Sequence, residues 1–171
     1  MLTMWWGAAM AAPVALDPSA LVGMSEVIVT GRVRALEVVP WGPARMPVTV
    51  VHVDVADAWK GTPAPALSFV QAGGPLPDGR WVMHSGSVRY EVGQSVLLFL
   101  ERSSTGALVT AGQDQGALDA SGAALAGLWA VSGDPPAEVA PFRGWTLLQA
   151  QTWVLTHRDA PWPAEVPRAA R

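Results

Sequence analysis

The stretch Glu26-Val-Ile-Val-Thr-Gly-Arg-Val-Arg-Ala35 decides how the chain is read. Its hydrophobic period is two: Val27, Val29, Gly31, Val33 and Ala35 share one face, while Thr30, Arg32 and Arg34 point the other way. That is a half-buried strand. A glycine in its middle has no side chain to pack, and the usual reason for one is a bend or the close approach of another strand. A strongly coiled first strand predicts a small barrel.

Downstream, Val51, Val53 and Val55 alternate with His52 and Asp54 in a second strand over Val48 to Val55, which ends at Trp59-Lys60-Gly61 after the turn-rich Pro40-Trp-Gly-Pro43. Leu67 to Gln71 reads as a third strand and Trp81 to His84 as a fourth. Gly73-Gly74-Pro75 and Pro77-Asp78-Gly79 supply turns between them. Val96-Leu-Leu-Phe-Leu100 is apolar on both faces and predicts a central strand covered on both sides. Ser103-Ser-Thr-Gly106 turns it back into Leu108 to Ala111, and Gly116 to Ala120 with Ala123 to Leu128 form one more hairpin.

Helix signals flank these strands. Asp17-Pro18 places a capping side chain before a proline at the first helical position, predicting about two turns that carry Leu21, Val22 and Met24. Thr146-Leu-Leu-Gln149 has capping-box spacing, and Leu148, Thr152 and Leu155 recur at helical intervals after it. The expectation is a mainly β fold: a small five- to seven-stranded barrel, with a short N-terminal helix and a C-terminal helix, as one domain over residues 12–158.

Composition bounds what such a domain can do. The 171 residues carry 14 acidic and 11 basic side chains, a net charge of -3 and no cysteine. Disulfides, thiolate nucleophiles and cysteine zinc sites are therefore excluded. No Lys/Arg cluster offers a nucleic-acid footprint. Half the residues are hydrophobic and 15% are charged, which fits a packed domain rather than disorder. Residues 1–11 hold an uncharged apolar run followed by Ala9-Met10-Ala11, a small-x-small pattern of the signal-peptidase type without the positive n-region. They read as a worn export signal, so a soluble periplasmic or extracellular protein is expected. No window matches the roughly 20 apolar residues of a spanning helix. Residues 159–171 hold three prolines from Pro161 to Pro167 and read as a flexible tail.

The segments Ser25 to Val33, Val51 to Gly61, Leu67 to Val70 and Val92 to Leu100 occur in the order seen in netrin-like domains. The chain thus resembles the OB-type barrel of tissue inhibitors of metalloproteinases. It also resembles uncharacterised bacterial exported proteins that open on Ala/Ser-Asp/Glu-Val-Ile-Val-x-Gly-x-Val and carry a Leu/Trp-Lys-Gly strand end. The resemblance covers about residues 20–120 and implies architecture alone. Those inhibitors chelate the protease zinc through an N-terminal cysteine, and this chain has none.

Candidate site residues are few. His52 and Asp54, two apart on the polar face of one strand, could reach one ion with His84 as a third ligand, the constellation of a metal-dependent hydrolase. The plain alternative is a solvent-facing polar stripe. His84, Ser85 and Asp78 or Asp114 contain the residue types of a hydrolytic triad, but no Gly-x-Ser-x-Gly accompanies them. Gly73-Gly74-Pro75 lacks the Gly-Lys-Ser/Thr of a phosphate loop. His157, near the end of the last helix, reads as a dipole-capping residue.

Of nine tryptophans, Trp59, Trp81, Trp145 and Trp153 read as core or helix-docking residues, whereas Trp41 and Trp162 have no core position and are candidates for a contact surface. OB-type barrels often bind ligands on one face through aromatics. The expected function is therefore a non-catalytic exported module, without cofactor, that contacts a protein, in an inhibitory or other mode, or a cell-surface polymer. The metal-dependent hydrolase using His52, Asp54 and His84 is the rival.

Overall fold

The computed structural model describes residues 16–43, 45–76, 78–82, 84, 86–128 and 141–159. The segment of export type, the Pro-rich tail with Trp162, and Ser85 lie outside the described residues. In chain order the elements are α1 (Pro18–Met24), β1 (Val27–Trp41), β2 (Met46–Lys60), β3 (Ala66–Ala72), β4 (Gly74–Pro75), β5 (Trp81–Val82), β6 (Ser95–Arg102), β7 (Leu108–Thr110), β8 (Ala117–Asp119), β9 (Ala126–Gly127) and α2 (Leu147–His157). One antiparallel sheet of seven strands runs β3-β2-β1-β6-β8-β9, with β7 also on β6. β7 takes the Leu100–Arg102 half of the β6 edge and β8 takes Val96–Leu98. β4 and β5 form a separate two-stranded ribbon.

The sheet is open. β3 and β7 approach each other across its curl, yet among the described residues no ladder joins them, so the closed barrel expected from the sequence is not formed. Two hydrophobic clusters occupy its two faces. Val27, Val29, Val33, Val51, Val53, Leu67, Phe69, Val96, Leu98 and Leu100 fill the inside of the curl. Ile28, Trp59, Leu97, Phe99 and Leu118 meet α1 and α2 on the outside. β6 therefore contributes to both clusters, as an apolar run on both faces predicts.

Close backbone approach explains Gly31. A Cβ there would run into the Asp54 carbonyl oxygen of β2, and the β1–β2 register shifts between Thr30 and Gly31 and again between Val33 and Ala35. The second shift corrects the reading of the face. Ala35 pairs with outward His52, while Leu36 pairs with inward Val51, so the extra residue moves the inward positions from odd to even numbers. The hairpin also extends further than expected. β1 runs to Trp41 and β2 starts at Met46, which makes the proline- and glycine-rich stretch the tip of a long arm. The fourth strand, by contrast, shrinks to the two residues of β5.

Both helices dock on the strand end Trp59-Lys60-Gly61. Lys60 Nζ donates to the Val22 carbonyl at the end of α1 (2.7 Å), and Arg158 donates to the Trp59 carbonyl (3.3 Å). Asp57 accepts from both Trp59 Nε1 and Gln151 of α2. The caps form as the sequence predicts. Asp17 accepts from Ala20 N–H, and Thr146 and Gln149 make the reciprocal capping box.

Two stability outcomes follow from this packing. Gly31→Val forces a side chain against the β2 backbone and is expected to cost about 1–3 kcal/mol in chemical denaturation; an unchanged midpoint contradicts the close approach. Leu98→Ala and Phe99→Ala each open a hole on a different face and are expected to cost ~2–5 kcal/mol. A nearly neutral result for either one means that its face of β6 is wet.

Candidate functional site

Beyond the bulge, the inward face of the arm leaves the core and becomes one wall of a cleft. Leu36 and Val38 of β1, Thr49 of β2 and Gln71 of β3 form that wall, and Pro75, Trp81 and the segment Val88 to Val92 form the other. The cleft encloses about 360 Å³. Its rim is apolar and open to solvent: Leu36 and Val38 are each 39% exposed, Trp81 49% and Val92 65%. Large apolar side chains gathered on one rim are more informative than the same residues scattered singly.

Side chain to backbone hydrogen bonds hold the two walls in place. Gln71 clasps the Val88 backbone twice, donating from Nε2 to its carbonyl (3.0 Å) and accepting its N–H at Oε1 (2.9 Å). Thr49 Oγ1 donates to the Gly73 carbonyl, and Ser87 Oγ to the Ala72 carbonyl. Gly74 also sits close against Thr49 and Val38, with a positive φ of 153°. These contacts anchor the β4–β5 ribbon over the inner face of the arm.

Tyr90 lines the same cleft. Its ring packs edge-on against Phe69 of the inner core, with centroids 5.4 Å apart. Its hydroxyl is buried and has no hydrogen-bond partner among the described residues. Burial pushes the phenol well above its ordinary pKa, so it stays protonated and keeps a donor. A buried polar group without a partner carries a desolvation cost.

The residues singled out from the sequence are placed elsewhere. His52 lies on the outer face of β2, where Nδ1 meets Ser68 Oγ at 2.8 Å and Nε2 lies 3.6 Å from Glu37. Asp54 faces Arg34 at 3.8 Å. Among the described residues no three His, Cys, Asp or Glu side chains stand where they could hold one metal ion, so His52, Asp54 and His84 do not form that group. Asp78 is engaged by Arg80 at 2.7 Å, whose hydrogen bond holds its carboxyl below the usual range. His157 stacks on Trp153 in the last turn of α2, its ring centroid 4.0 Å away.

Trp41 stands 55% exposed opposite Met46 at the arm tip, on the face turned away from the cleft. Trp81 is corrected from a core residue to the cleft rim, because it belongs to the small ribbon and not to the main sheet. Sequence reasoning missed Leu36, Val38, Gln71 and Tyr90. The hidden bulge turned Leu36 and Val38 inward, and nothing in the local pattern marks the Gln71 clasp.

No protein-family model, curated protein or solved structure matches the chain. The cleft therefore has to be interpreted from its own chemistry.

Removing the stranded hydroxyl tests that chemistry. Tyr90→Phe is expected to raise stability by about 1 kcal/mol, because the unpaired group costs ~1–3 kcal/mol to bury. A loss of similar size in a thermal or denaturant melt means that the hydroxyl is partnered in solution.

Proposed function

We propose that this protein is a non-catalytic, exported binding module whose curled sheet is an open relative of the OB-type, netrin-like barrel, and that it contacts a macromolecular partner through the cleft at the base of the β1–β2 arm. The observation that carries the reading is the cleft itself: an apolar rim with Trp81 and Val92 exposed, and walls held by Gln71 and Thr49. Concave apolar sites with a few placed polar groups are where ligands bind. The strand order supports the architectural part, since β1 pairs with both β2 and β6, and β3 approaches β7 on the far side.

A protein or an uncharged polymer suits this lining better than nucleic acid. Arg89 lies 3.9 Å from Glu91, and the chain carries no basic cluster to neutralise phosphates. Export rests on the small-x-small pattern of Ala9-Met10-Ala11. Among the described residues, no helix is long and apolar enough to cross a membrane.

Site-directed photocrosslinking tests the reading. A photoreactive phenylalanine analogue replaces Trp81 in one variant and Leu148, exposed on α2, in another. Illumination in the native extract is expected to give an adduct from position 81 and none from 148. The absence of an adduct at 81, or the same adduct from both, contradicts a partner at the cleft.

A further inference from the structure

We propose that the partner is an extended, uncharged polypeptide segment that adds as a strand to the free edge of β1 at Ala35 to Val39 and seats alternate apolar side chains in the cleft. This rests on the binding reading above and narrows it to one chemistry.

The edge comes from the ladder. β6 pairs with β1 only from Val27 to Arg32, and Val33 then exchanges hydrogen bonds with Gly93 and Gln94. From Ala35 to Val39 the backbone is paired with β2 on one side, from His52 to Val48. On the other side no backbone partner exists among the described residues. Such an edge presents N–H and C=O groups in alternation at ~3.3 Å per residue, a spacing that another polypeptide backbone matches and a sugar chain does not.

Side chains select the sequence. Leu36 and Val38 point inward at alternate positions into the cleft, facing Trp81 and Val92 across it. An added strand brings every second side chain into this space. Close to the edge, Arg34 stands 3.8 Å from Asp54 and Arg89 3.9 Å from Glu91, and Glu37 lies with His52 on the outer face, turned away from the cleft. The charged residues of the cleft lining, Arg89 and Glu91, already face each other, so a charged side chain seated there finds no uncommitted counter-ion and an apolar one loses nothing.

The edge is also short. The bulge after Val33 bounds it at one end, and Pro40, which has no N–H, bounds it at the other. Both features discourage one sheet from extending through another copy, while leaving room for a few residues of peptide.

The full chain is panned against a phage-displayed library of random twelve-residue peptides, and the most enriched peptide is resynthesised. Apolar residues are expected at alternate positions of the enriched set. Val38→Arg is expected to weaken the resynthesised peptide by about tenfold or more, and so is N-methylation of the peptide at alternate amides, which deletes backbone donors and leaves the protein untouched. Leu148→Ala should bind as the unaltered chain does. No enrichment overturns the proposal.

If N-methylated peptide binds normally while Val38→Arg does not, the cleft remains a binding site and strand addition is wrong. If Val38→Arg has no effect, the cleft reading falls as well. Sedimentation of the free chain as a dimer that Val38→Arg dissolves assigns the edge to a second copy instead, and also overturns the proposal.

Discussion

The close passage of the Asp54 carbonyl over Gly31 is the constraint from which the rest of the molecule follows. Only a residue without a Cβ lets β2 run that near to β1, and the register shifts on either side of the contact convert it into curvature. Below Gly31 the hairpin lies between two hydrophobic clusters. Past Val33 and Val51 it leaves both clusters and projects as an arm. Because the shift after Val33 reverses the parity of the strand, inward positions on the arm are Leu36 and Val38, and they are half-exposed where Val27 and Val29 are sealed. A packed base and a sticky arm thus arise from the same distortion.

The base owes its solidity to β6, which places Val96, Leu98 and Leu100 in one cluster and Leu97 and Phe99 in the other. The outer cluster needs a cover, and the two helices provide it through the β2 end at Trp59 and Lys60. Burial lowers the Lys60 pKa, against the pull of Asp159, and the Val22 carbonyl gives the ammonium a hydrogen bond in compensation. Phe142 adds an aromatic joint. It stacks on Phe99 and meets Trp145 and Trp153 edge-on, while its backbone sits at a φ of 62°. That left-handed conformation is unfavourable for a bulky residue, and the three ring contacts are what hold it there.

Much of this base was legible in the residues. An apolar run on both faces, a glycine inside an alternating strand, Asp17 before Pro18 and the Thr146–Gln149 spacing are local signals, and each maps onto a local physical cause. What was not legible depends on partners distant in sequence. A bulge is set by two strands together, so the parity of Leu36 and Val38 cannot be read from β1 alone. Pro40, Gly42 and Pro43 look like loop residues, although Pro40 and Trp41 continue the arm opposite Pro47 and Met46. Trp81 looked like core because tryptophan usually is, yet its two-residue strand belongs to a ribbon that lies over the sheet's inner face. Whether a curled sheet closes is likewise a matter of whether β3 and β7 come within hydrogen-bonding reach, and local alternation carries no trace of that.

The same distinction separates the two kinds of site the chain offers. His52 and Asp54 are adjacent in pattern, but each is satisfied by its own neighbour, Ser68 and Glu37 for one and Arg34 for the other, so their chemistry is spent on the sheet's outer face. The cleft is the reverse case. Gln71 and Thr49 in its lining, and Ser87 next to it, bond to the backbone of the facing segments, so the concavity exists before any partner arrives. A preformed wall spares the partner the cost of ordering loops, which is usually where affinity is lost. What such a site leaves unsatisfied is apolar rim and a short backbone edge, and those two deficits together describe the chemistry that a binding partner has to bring.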